Sequence, residues 1–359
     1  MPHRRTTFSK FIIEDQRSRA NPDPELTGLL NDIQTACKFI ASAVSRGALY
    51  YPPRSSMNLN PSADEPKKLD EIANDIMLRE CEWGGQLSGM IFEGAEGPYL
   101  IPTTYPRGRY LLAFDALEGS ANLDINVTVG TIFSVLRAPD GVTEPGPADF
   151  LQAGTKQIAA GFALYGPTSI VVLTLGSGVH GFTLDREIGA YTLTHPNMRI
   201  PEETSEFAID ASNERSWEAP IRYYVDECVQ GKTGQRGLDF SMRWVDSLVS
   251  EVHRILVRGG LLIYPGDMRD AAKHGGIHLL YEANPVAMIV EQAGGGASTG
   301  RERILDVAPA GLQQCVPVIL GSIREVERLV RYHDTADRGE DLAFAAPLFK
   351  SRSLFRSSV

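Results

Sequence analysis

Two apolar segments between residues 110 and 134 enclose a short segment that is rich in acids and glycine. The first apolar run covers residues 110–114, and Asp115 and Glu118 follow it directly. In the second run the apolar positions alternate, at Val127 and Val129. Alternation with a period of two, bounded by Gly, Ser and Asn, predicts two strands joined by a loop that carries chemistry.

Asp115 and Glu118 stand close together in this segment. If the first strand ends at Asp115, a tight turn returns Glu118 to the same place. Two converging carboxylates repel unless a positive charge lies between them, and a divalent cation bound through oxygen is the usual one. The alternative is that both acids are turn residues, since Asp, Gly, Ser and Asn favour turns for local reasons. The segment alone favours neither interpretation.

The rest of the chain alternates between helical and strand patterns. Apolar positions at helical spacing predict helices at 6–20, 25–40, 67–83, 217–229, 245–256, 285–293 and 325–332. Apolar runs predict strands at 87–92, 158–175 (a hairpin), 181–193 (a pair), 207–209, 261–264 and 316–321. The composition changes near residue 200. We therefore expect an N-terminal domain over 1–199, a C-terminal domain over 200–333 and a loosely held tail over 334–359.

Five acids of these predicted elements are candidates for one shared site: Asp70, Glu93, Asp115, Glu118 and Glu282. For Asp70, a role as an acid of the helix cap region is the more favoured alternative. Oxygen donors without paired Cys or His suit Mg²⁺ or Mn²⁺ better than a dedicated zinc site. Two or more such ions neutralise a phosphate and activate a water, so the set predicts phosphoryl hydrolysis. The absence of Gly-rich Rossmann and P-loop signatures predicts α/β layers of another type.

Composition narrows the possible partners. The 359 residues carry a net charge of -10, and 43% of them are hydrophobic. An acidic chain has no electrostatic preference for nucleic acid or for an anionic membrane. The basic start of the chain lacks the apolar segment of a secretory signal, and no run approaches the length that spans a bilayer. The four cysteines form no CxxC pair. We expect a cytoplasmic protein.

Four segments closely resemble class 1 fructose-1,6-bisphosphatase, and the resemblance extends from about Thr6 to His333. They are 67–75 (KKLDEIAND), 106–135, 242–265 and 279–307. The resemblance implies a layered α/β/α/β/α sandwich of two domains, assembled as a homotetramer. It also implies Mg²⁺-dependent removal of the 1-phosphate from fructose 1,6-bisphosphate.

The resemblance assigns roles position by position. As metal ligands it implies Glu93, Asp115, the carbonyl of Leu117, Glu118 and Glu282. Asp64, Asp70 and Glu93 belong to the catalytic acids, and Asp64 and Asp70 position and deprotonate the attacking water. Gly119 and Ser120 hold the 1-phosphate, and Glu118 also contributes to substrate binding. Asn213, Arg243 and Tyr264 hold the 6-phosphate, with Arg243 reaching into a neighbouring subunit, and Leu248 lines the sugar pocket.

Several positions depart from the family pattern. Where the family has Asp-Pro-Leu-Asp-Gly-Ser-Ser-Asn, residues 115–122 read Asp-Ala-Leu-Glu-Gly-Ser-Ala-Asn. Glu118 lengthens the arm by one methylene, and a displacement of about 1 Å can cost about 10²-fold in rate. Gly94 stands where the family has a second Glu. Gly276 replaces a phosphate-binding lysine of the family, and His278 replaces an arginine. Ser216 replaces a tyrosine that the family has on the 6-phosphate side.

These departures leave three alternatives open: a bisphosphatase, a phosphatase shifted to sedoheptulose 1,7-bisphosphate, and a catalytically impaired regulatory or structural subunit. An inositol-phosphate-type phosphatase is disfavoured because the resemblance covers both domains. The family's AMP site matches at Glu25, Thr27, Arg109 and Tyr110. Pro24 replaces a glycine there and has no N–H to donate, which predicts weak or absent AMP inhibition.

Overall fold

The computed structural model describes residues 5–49, 69–266 and 276–342. The predicted catalytic acid Asp64 lies outside these described residues. Within them, the α-helices are α1 (Phe8–Ser18), α2 (Pro24–Arg46), α3 (Leu69–Glu82), α4 (Pro147–Phe150), α5 (Ala219–Gln230), α6 (Leu248–Arg258), α7 (Asn284–Gln292) and α8 (Ile323–Asp337).

The strands of the described residues form one large sheet, one smaller sheet and a two-stranded ribbon. The large sheet has the order β2-β1-β3-β4-β5-β6-β7-β8, the smaller one β10-β9-β11-β15-β13, and the ribbon β12-β14. Their bounds are β1 (Leu87–Phe92), β2 (Tyr99–Leu100), β3 (Tyr110–Glu118), β4 (Val129–Arg137), β5 (Ala159–Tyr165), β6 (Ser169–Thr174), β7 (Val179–Asp185), β8 (Ala190–His195), β9 (Glu206–Ala208), β10 (Ser241–Met242), β11 (Leu261–Tyr264), β12 (Ile277–His278), β13 (Gly296–Ser298), β14 (Cys315–Val316) and β15 (Val318–Gly321).

The large sheet is covered on both faces because its strands are apolar at successive positions. Leu112 and Phe114 of β3 join a core with α1, α2 and α3. On β4 and β5, Ile132 and Phe162 join a second core with α6 and α7. Strands buried on both faces read as continuous apolar runs rather than as an alternation of apolar and polar residues.

The smaller sheet lies on the other side of α6 and α7. Leu262 of β11 faces those helices, whereas Leu261 and Ile263 face a third core formed with α5 and α8. Successive side chains of a strand point to opposite faces, so one strand supplies two cores. The layers therefore run helices, sheet, helices, sheet, helices. This confirms the predicted α/β/α/β/α sandwich.

Local signals fix several of the element ends. Thr7 caps α1 by accepting from the Lys10 N–H. Asp23 caps α2, where Pro24 takes a first-turn position. The predicted helix at 245–256 is displaced, because Asp246 has a positive φ of 56° and the helix begins at Leu248. Within the described residues, no helix is long and apolar enough to cross a bilayer.

The last helix extends further than its predicted end at residue 332. It runs to Asp337, where Arg301 Nε lies 2.8 Å from Asp337 Oδ2, and Thr335 is buried. The assumption of weak order from residue 334 onwards is therefore wrong for the end of α8. Residues 343–359 of the expected tail lie outside the described residues.

Candidate active site

Glu93 follows the end of β1 and lies beside Asp115, which stands within the neighbouring parallel strand β3. Phe92 of β1 pairs with Phe114 of β3. The Glu93 N–H donates to the Phe114 carbonyl over 3.2 Å. Because β1 and β3 are parallel and paired here, the residues that follow this pair lie side by side at the carboxyl end of β1.

The prediction of a tight turn between Asp115 and Glu118 is wrong, because the structure has a bulge within β3 there. Strand β3 continues through Glu118, and its pairing with β4 shifts register between Asp115, opposite Ile132, and Glu118, opposite Gly130. Such a bulge places an extra residue in one strand and redirects the side chains around it. Both acids are buried, with exposed fractions of 5% and 7%. Leu117, the predicted carbonyl ligand, is also buried in this segment.

Glu282 completes the acid cluster from the C-terminal half of the chain. It lies on a π-helical turn, Leu279–Ala283, that leads into α7 and is itself buried. Such turns recur at functional sites. Burial raises the pKa of Asp115 well above its usual value, and the charges of Glu282, Glu93 and Glu118 raise it further. Four of the acids predicted to share a site therefore do lie together.

His278 lies between two of these acids. Its Nδ1 is 3.3 Å from Glu282 Oε2 and 3.7 Å from Glu93 Oε1. The His278 backbone N–H also donates to Glu282 Oε2 over 2.7 Å. The hydrogen bond to Glu282 raises the pKa of His278, and burial opposes this shift. The sequence showed only that an arginine is replaced here, not that its substitute contacts two acids.

Glu118 binds the start of α6 in the C-terminal half. Its Oε1 accepts from the Leu248 N–H over 2.8 Å, and its Oε2 accepts from the Val249 N–H and the Ser247 hydroxyl over 3.2 Å each. Burial raises the pKa of Glu118 to about 7, although the Leu248 hydrogen bond opposes the shift. Two predicted substrate-binding residues, Glu118 and Leu248, are thus in direct contact.

A second bond between the same two segments involves a residue to which the sequence assigned no site role. The Asn122 amide donates to the Asp246 carbonyl over 2.7 Å. Ser247 was missed as well, although a Ser just before an apolar helical pattern is a recognisable cap signal. Gly119 adopts a left-handed φ of 74°, which favours glycine, before the short turn Ser120–Asn122. The acid loop is therefore fixed directly against α6.

The predicted 6-phosphate residues have different surroundings. Burial raises the pKa of Tyr264, and the nearby charges of Glu118, Asp246 and Glu282 contribute, so Tyr264 lies near the acid cluster. Arg243 Nε is 3.6 Å from Glu206 Oε1, and the Asn213 amide donates to Asp210 over 2.6 Å. Both of these contacts lie in the smaller sheet and its loops.

The donor types suit a hard divalent cation, since buried carboxylates that raise one another's pKa gain from a positive charge among them. The arrangement is not preformed, however. In the described part of the chain no three His, Cys, Asp or Glu side chains are placed so as to hold a metal ion. Asp70 lies in the first turn of α3, and its catalytic role stays a prediction.

Comparison with known proteins identifies the family. The profiles described as the N-terminal and C-terminal domains of fructose-1-6-bisphosphatase match residues 6–196 and 200–334. The chain belongs to the fructose-1,6-bisphosphatase family. Members of this family depend on metal ions.

Two curated relatives are named class 1 fructose-1,6-bisphosphatase. The protein of Methylacidiphilum infernorum is 56% identical over 99% of this chain and 100% of its own length. That of Hydrogenophilus thermoluteolus is 53% identical over 98% of each chain. Among solved structures, the holo form of Leishmania major fructose-1,6-bisphosphatase aligns with a TM-score of 0.82 and 35% identity. The alignment covers 92% of this chain and 99% of that one.

Proposed function

We propose that this protein hydrolyses fructose 1,6-bisphosphate to fructose 6-phosphate and inorganic phosphate, using water activated by a bound metal ion. The observation that carries the proposal is the convergence of Glu93, Asp115 and Glu282 at one edge of the large sheet. Family membership over the whole chain supports it. The impaired-subunit alternative is not favoured, since relatives more than half identical carry the enzyme's name.

Within this proposal Asp115, Glu93, Glu282, Glu118 and the Leu117 carbonyl hold the ion, which is Mg²⁺ or Mn²⁺. A bound divalent ion polarises a phosphate and lowers the pKa of water. The Glu118 carboxylate lies against the first N–H groups of α6, so it must leave those bonds or share its oxygens when it ligates. This chain therefore couples Glu118 to the position of α6, on which Leu248 lies.

The chain's own groups supply substrate binding and proton acceptance. Gly119 and Ser120 offer an N–H and a hydroxyl to the 1-phosphate, directly after the acids. Asp70, with Asp64, accepts the proton of the attacking water. Tyr264, near the acid cluster, holds the 6-phosphate with Asn213 and Arg243. Exclusion of water by the buried strand edge strengthens each of these charge interactions.

Three further elements of the proposal concern organisation. We infer a homotetramer in which Arg243 reaches a neighbouring subunit, consistent with the 54% exposure of its side chain in one chain. The matches at 6–196 and 200–334 support a division into domains 1–199 and 200–333. The net charge of -10 and the family support a cytoplasmic enzyme without nucleic-acid or membrane partners.

Phosphate release by the purified protein tests the proposal. The substrates are fructose 1,6-bisphosphate, sedoheptulose 1,7-bisphosphate and inositol 1-phosphate, each with Mg²⁺ or Mn²⁺. Turnover of the first that is lost in Asp115→Asn supports the proposed reaction. Faster turnover of the seven-carbon substrate identifies the shifted alternative. A folded oligomer that releases no phosphate from any of them overturns the proposal.

A further inference from the structure

Thr131 interrupts the apolar face of β4 that packs against α1, α2 and α3. Val129, Phe133 and Val135 lie in the core formed with these helices, and Thr131 stands between them in the same alternation. Its side chain is fully buried. A hydroxyl in such a place needs a hydrogen-bond partner, because a buried polar group without one is costly.

The partner of Thr131 lies in the bulge of β3. In the shifted register between β3 and β4, Ala116 and Leu117 together face this one residue. An extra residue in a strand disrupts the regular pairing of the backbone there. The Thr131 hydroxyl donates to the Ala116 carbonyl over 2.8 Å. A side chain of β4 thus provides a partner for a buried carbonyl of the bulge.

The same peptide group is bound to Asp115 at its other end. The Leu117 N–H, which shares a peptide with the Ala116 carbonyl, donates to Asp115 Oδ1 over 3.0 Å. Because a peptide group is planar, fixing its carbonyl oxygen also fixes the direction of its N–H. A donor to the carbonyl further polarises the peptide and strengthens the N–H as a donor. Thr131 therefore acts on the Asp115 carboxylate through one rigid group.

The Tyr165 hydroxyl supports Thr131 from β5, and the two hydroxyl oxygens are 2.7 Å apart. Since a carbonyl can only accept, the single hydroxyl hydrogen of Thr131 goes to Ala116, and Tyr165 donates to Thr131. The Cys37 thiol on α2 is a further partner of Tyr165. Burial raises the pKa of this thiol to about 12, so it stays protonated and can donate. The hydrogen bonds therefore run in one direction, from the core at α2 to Asp115.

We propose that Thr131 and Tyr165 are positioning residues for the reaction, because together they hold the Ala116–Leu117 peptide that orients the Asp115 carboxylate. The inference rests on the proposed function, in which Asp115 holds the metal ion. Both residues lie behind the acid in the core, so their loss should lower the rate of the chemical step and leave substrate binding nearly unchanged.

Steady-state phosphate release at saturating Mg²⁺ tests this role. Thr131→Val keeps the shape of the side chain and removes the hydroxyl. Its kcat should fall by about 10–100-fold, as on loss of an outer partner of a metal ligand. The KM for fructose 1,6-bisphosphate should stay within about twofold of the wild type. Thr131→Ser keeps the hydroxyl and should regain most of the lost rate.

Tyr165→Phe removes the second hydroxyl and keeps the test decisive if Thr131→Val does not fold. Its kcat should fall by a smaller factor, because Tyr165 is one hydrogen bond further from Asp115. Tyr191→Phe is the matched control, since its hydroxyl pairs with that of Ser169 over 2.8 Å and both residues are buried. This pair joins β6 to β8, away from β3. Tyr191→Phe should lose stability to urea as Tyr165→Phe does, but should keep kcat within about twofold.

Hydrogen exchange of the Leu117 amide, followed by mass spectrometry without metal or substrate, gives a readout that does not depend on activity. Exchange should be about tenfold faster in Thr131→Val than in the wild type or in Tyr191→Phe, since a hydrogen bond that holds this peptide is lost. Faster exchange in a protein that releases no phosphate would refute the proposed function and leave the positioning role intact.

Four results overturn the inference while wild-type phosphate release still supports the proposed function. They are an unchanged exchange rate at Leu117 in Thr131→Val, a kcat of that variant within about twofold of the wild type, an equal loss of kcat in Tyr165→Phe and Tyr191→Phe, and no recovery of rate in Thr131→Ser.

Discussion

Acidic side chains are buried in two regions of this protein, between α5 and α8 and at the end of β3. The two regions differ in whether an arginine or lysine neutralises the buried acid. Between α5 and α8, Glu325 lies 2.6 Å from the Arg236 guanidinium and accepts from the Tyr224 hydroxyl over 2.8 Å. The side chains of Arg236 and Glu325 are 8% and 6% exposed. At the strand edge, by contrast, no Arg or Lys among the described residues forms an ion pair with Asp115 or Glu118. Burial alone therefore does not mark an acid as part of a functional site. What distinguishes Asp115 and Glu118 from Glu325, among the described residues, is that neither is paired with an arginine or a lysine.

The largest expected effect is on the unneutralised acids. Asp115→Asn removes a predicted metal ligand, and phosphate release should fall by about 10³-fold, since a bound ion contributes several kcal/mol to such a reaction. The metal-free variant should also be more stable to urea than the wild type, because a repelling charge is gone. The matched control, Asp226→Asn on the exposed face of α5, should change neither property. Undiminished turnover in Asp115→Asn would contradict the assignment of the site.

The neutralised acids should show the opposite behaviour. Arg236→Met leaves Glu325 buried without its main cation, and breaking such a pair costs about 3–5 kcal/mol in the free energy of unfolding. Urea unfolding measures this cost, and phosphate release per folded molecule should stay within about twofold of the wild type. Lys232→Met is the control, because its pair with Asp239 is exposed and should contribute nothing measurable. A large loss of activity with unchanged stability would show that the two regions are not distinct.

The buried histidine His253 provides a weaker test of how burial acts on an ionisable group that has no charged partner of opposite sign. Burial lowers the pKa of His253 on α6 to about 4, and His195 contributes to the shift. The unfolded chain therefore binds a proton that the folded chain does not, and stability is lost as the pH falls from about 6.5 towards 4. Between pH 7.5 and 5 this loss is about 2 kcal/mol.

His253→Gln should remove most of that difference in urea unfolding measured at the two pH values. The control His195→Gln removes only the smaller charge contribution and should keep most of the pH dependence. Equal pH dependence in wild type and His253→Gln would show that the histidine does not stay neutral in the folded protein.

The smallest effect concerns the predicted AMP site, which is internally neutralised like the α5–α8 region. Asp23 accepts from the Tyr110 hydroxyl and from Arg109 over 2.9 Å, and Arg109 also lies 3.1 Å from Glu25. Burial raises the pKa of Asp23, but the bonds from Tyr110, the Leu26 N–H and Arg109 outweigh it, so the pKa is lowered. An internal carboxylate already takes the groups that an external phosphate needs.

The wild type should therefore show no AMP inhibition below about 1 mM. Replacing both residues, Asp23→Thr with Pro24→Gly, frees the arginine and restores a backbone donor. The inhibition constant should then fall by about tenfold, which corresponds to about 1.4 kcal/mol. Phosphate release at increasing AMP measures it, with Asp15→Asn on α1 as the control. Sub-millimolar inhibition of the wild type would contradict the prediction.

The sequence by itself determined most of the longer secondary elements and four of the acids that lie together, Glu93, Asp115, Glu118 and Glu282. Apolar periodicity located β3, β4 and α2, since spacing along the chain decides which face of an element is buried. Glu93, Asp115 and Glu282 could be grouped because each stands at the end of an apolar run. The layered sandwich followed from the resemblance and from the alternation of strands and helices.

Only the tertiary structure decided how the side chains of the site are used. Glu118 lies against the first N–H groups of α6, and His278 lies between Glu93 and Glu282. The bulge in β3, rather than a turn, directs Asp115 and Glu118. Local sequence rules describe neighbours along the chain, whereas the contacts of Glu118 with Leu248 and of His278 with Glu93 join segments more than a hundred residues apart. Their geometry depends on how the two sheets pack around α6 and α7, which no single segment encodes.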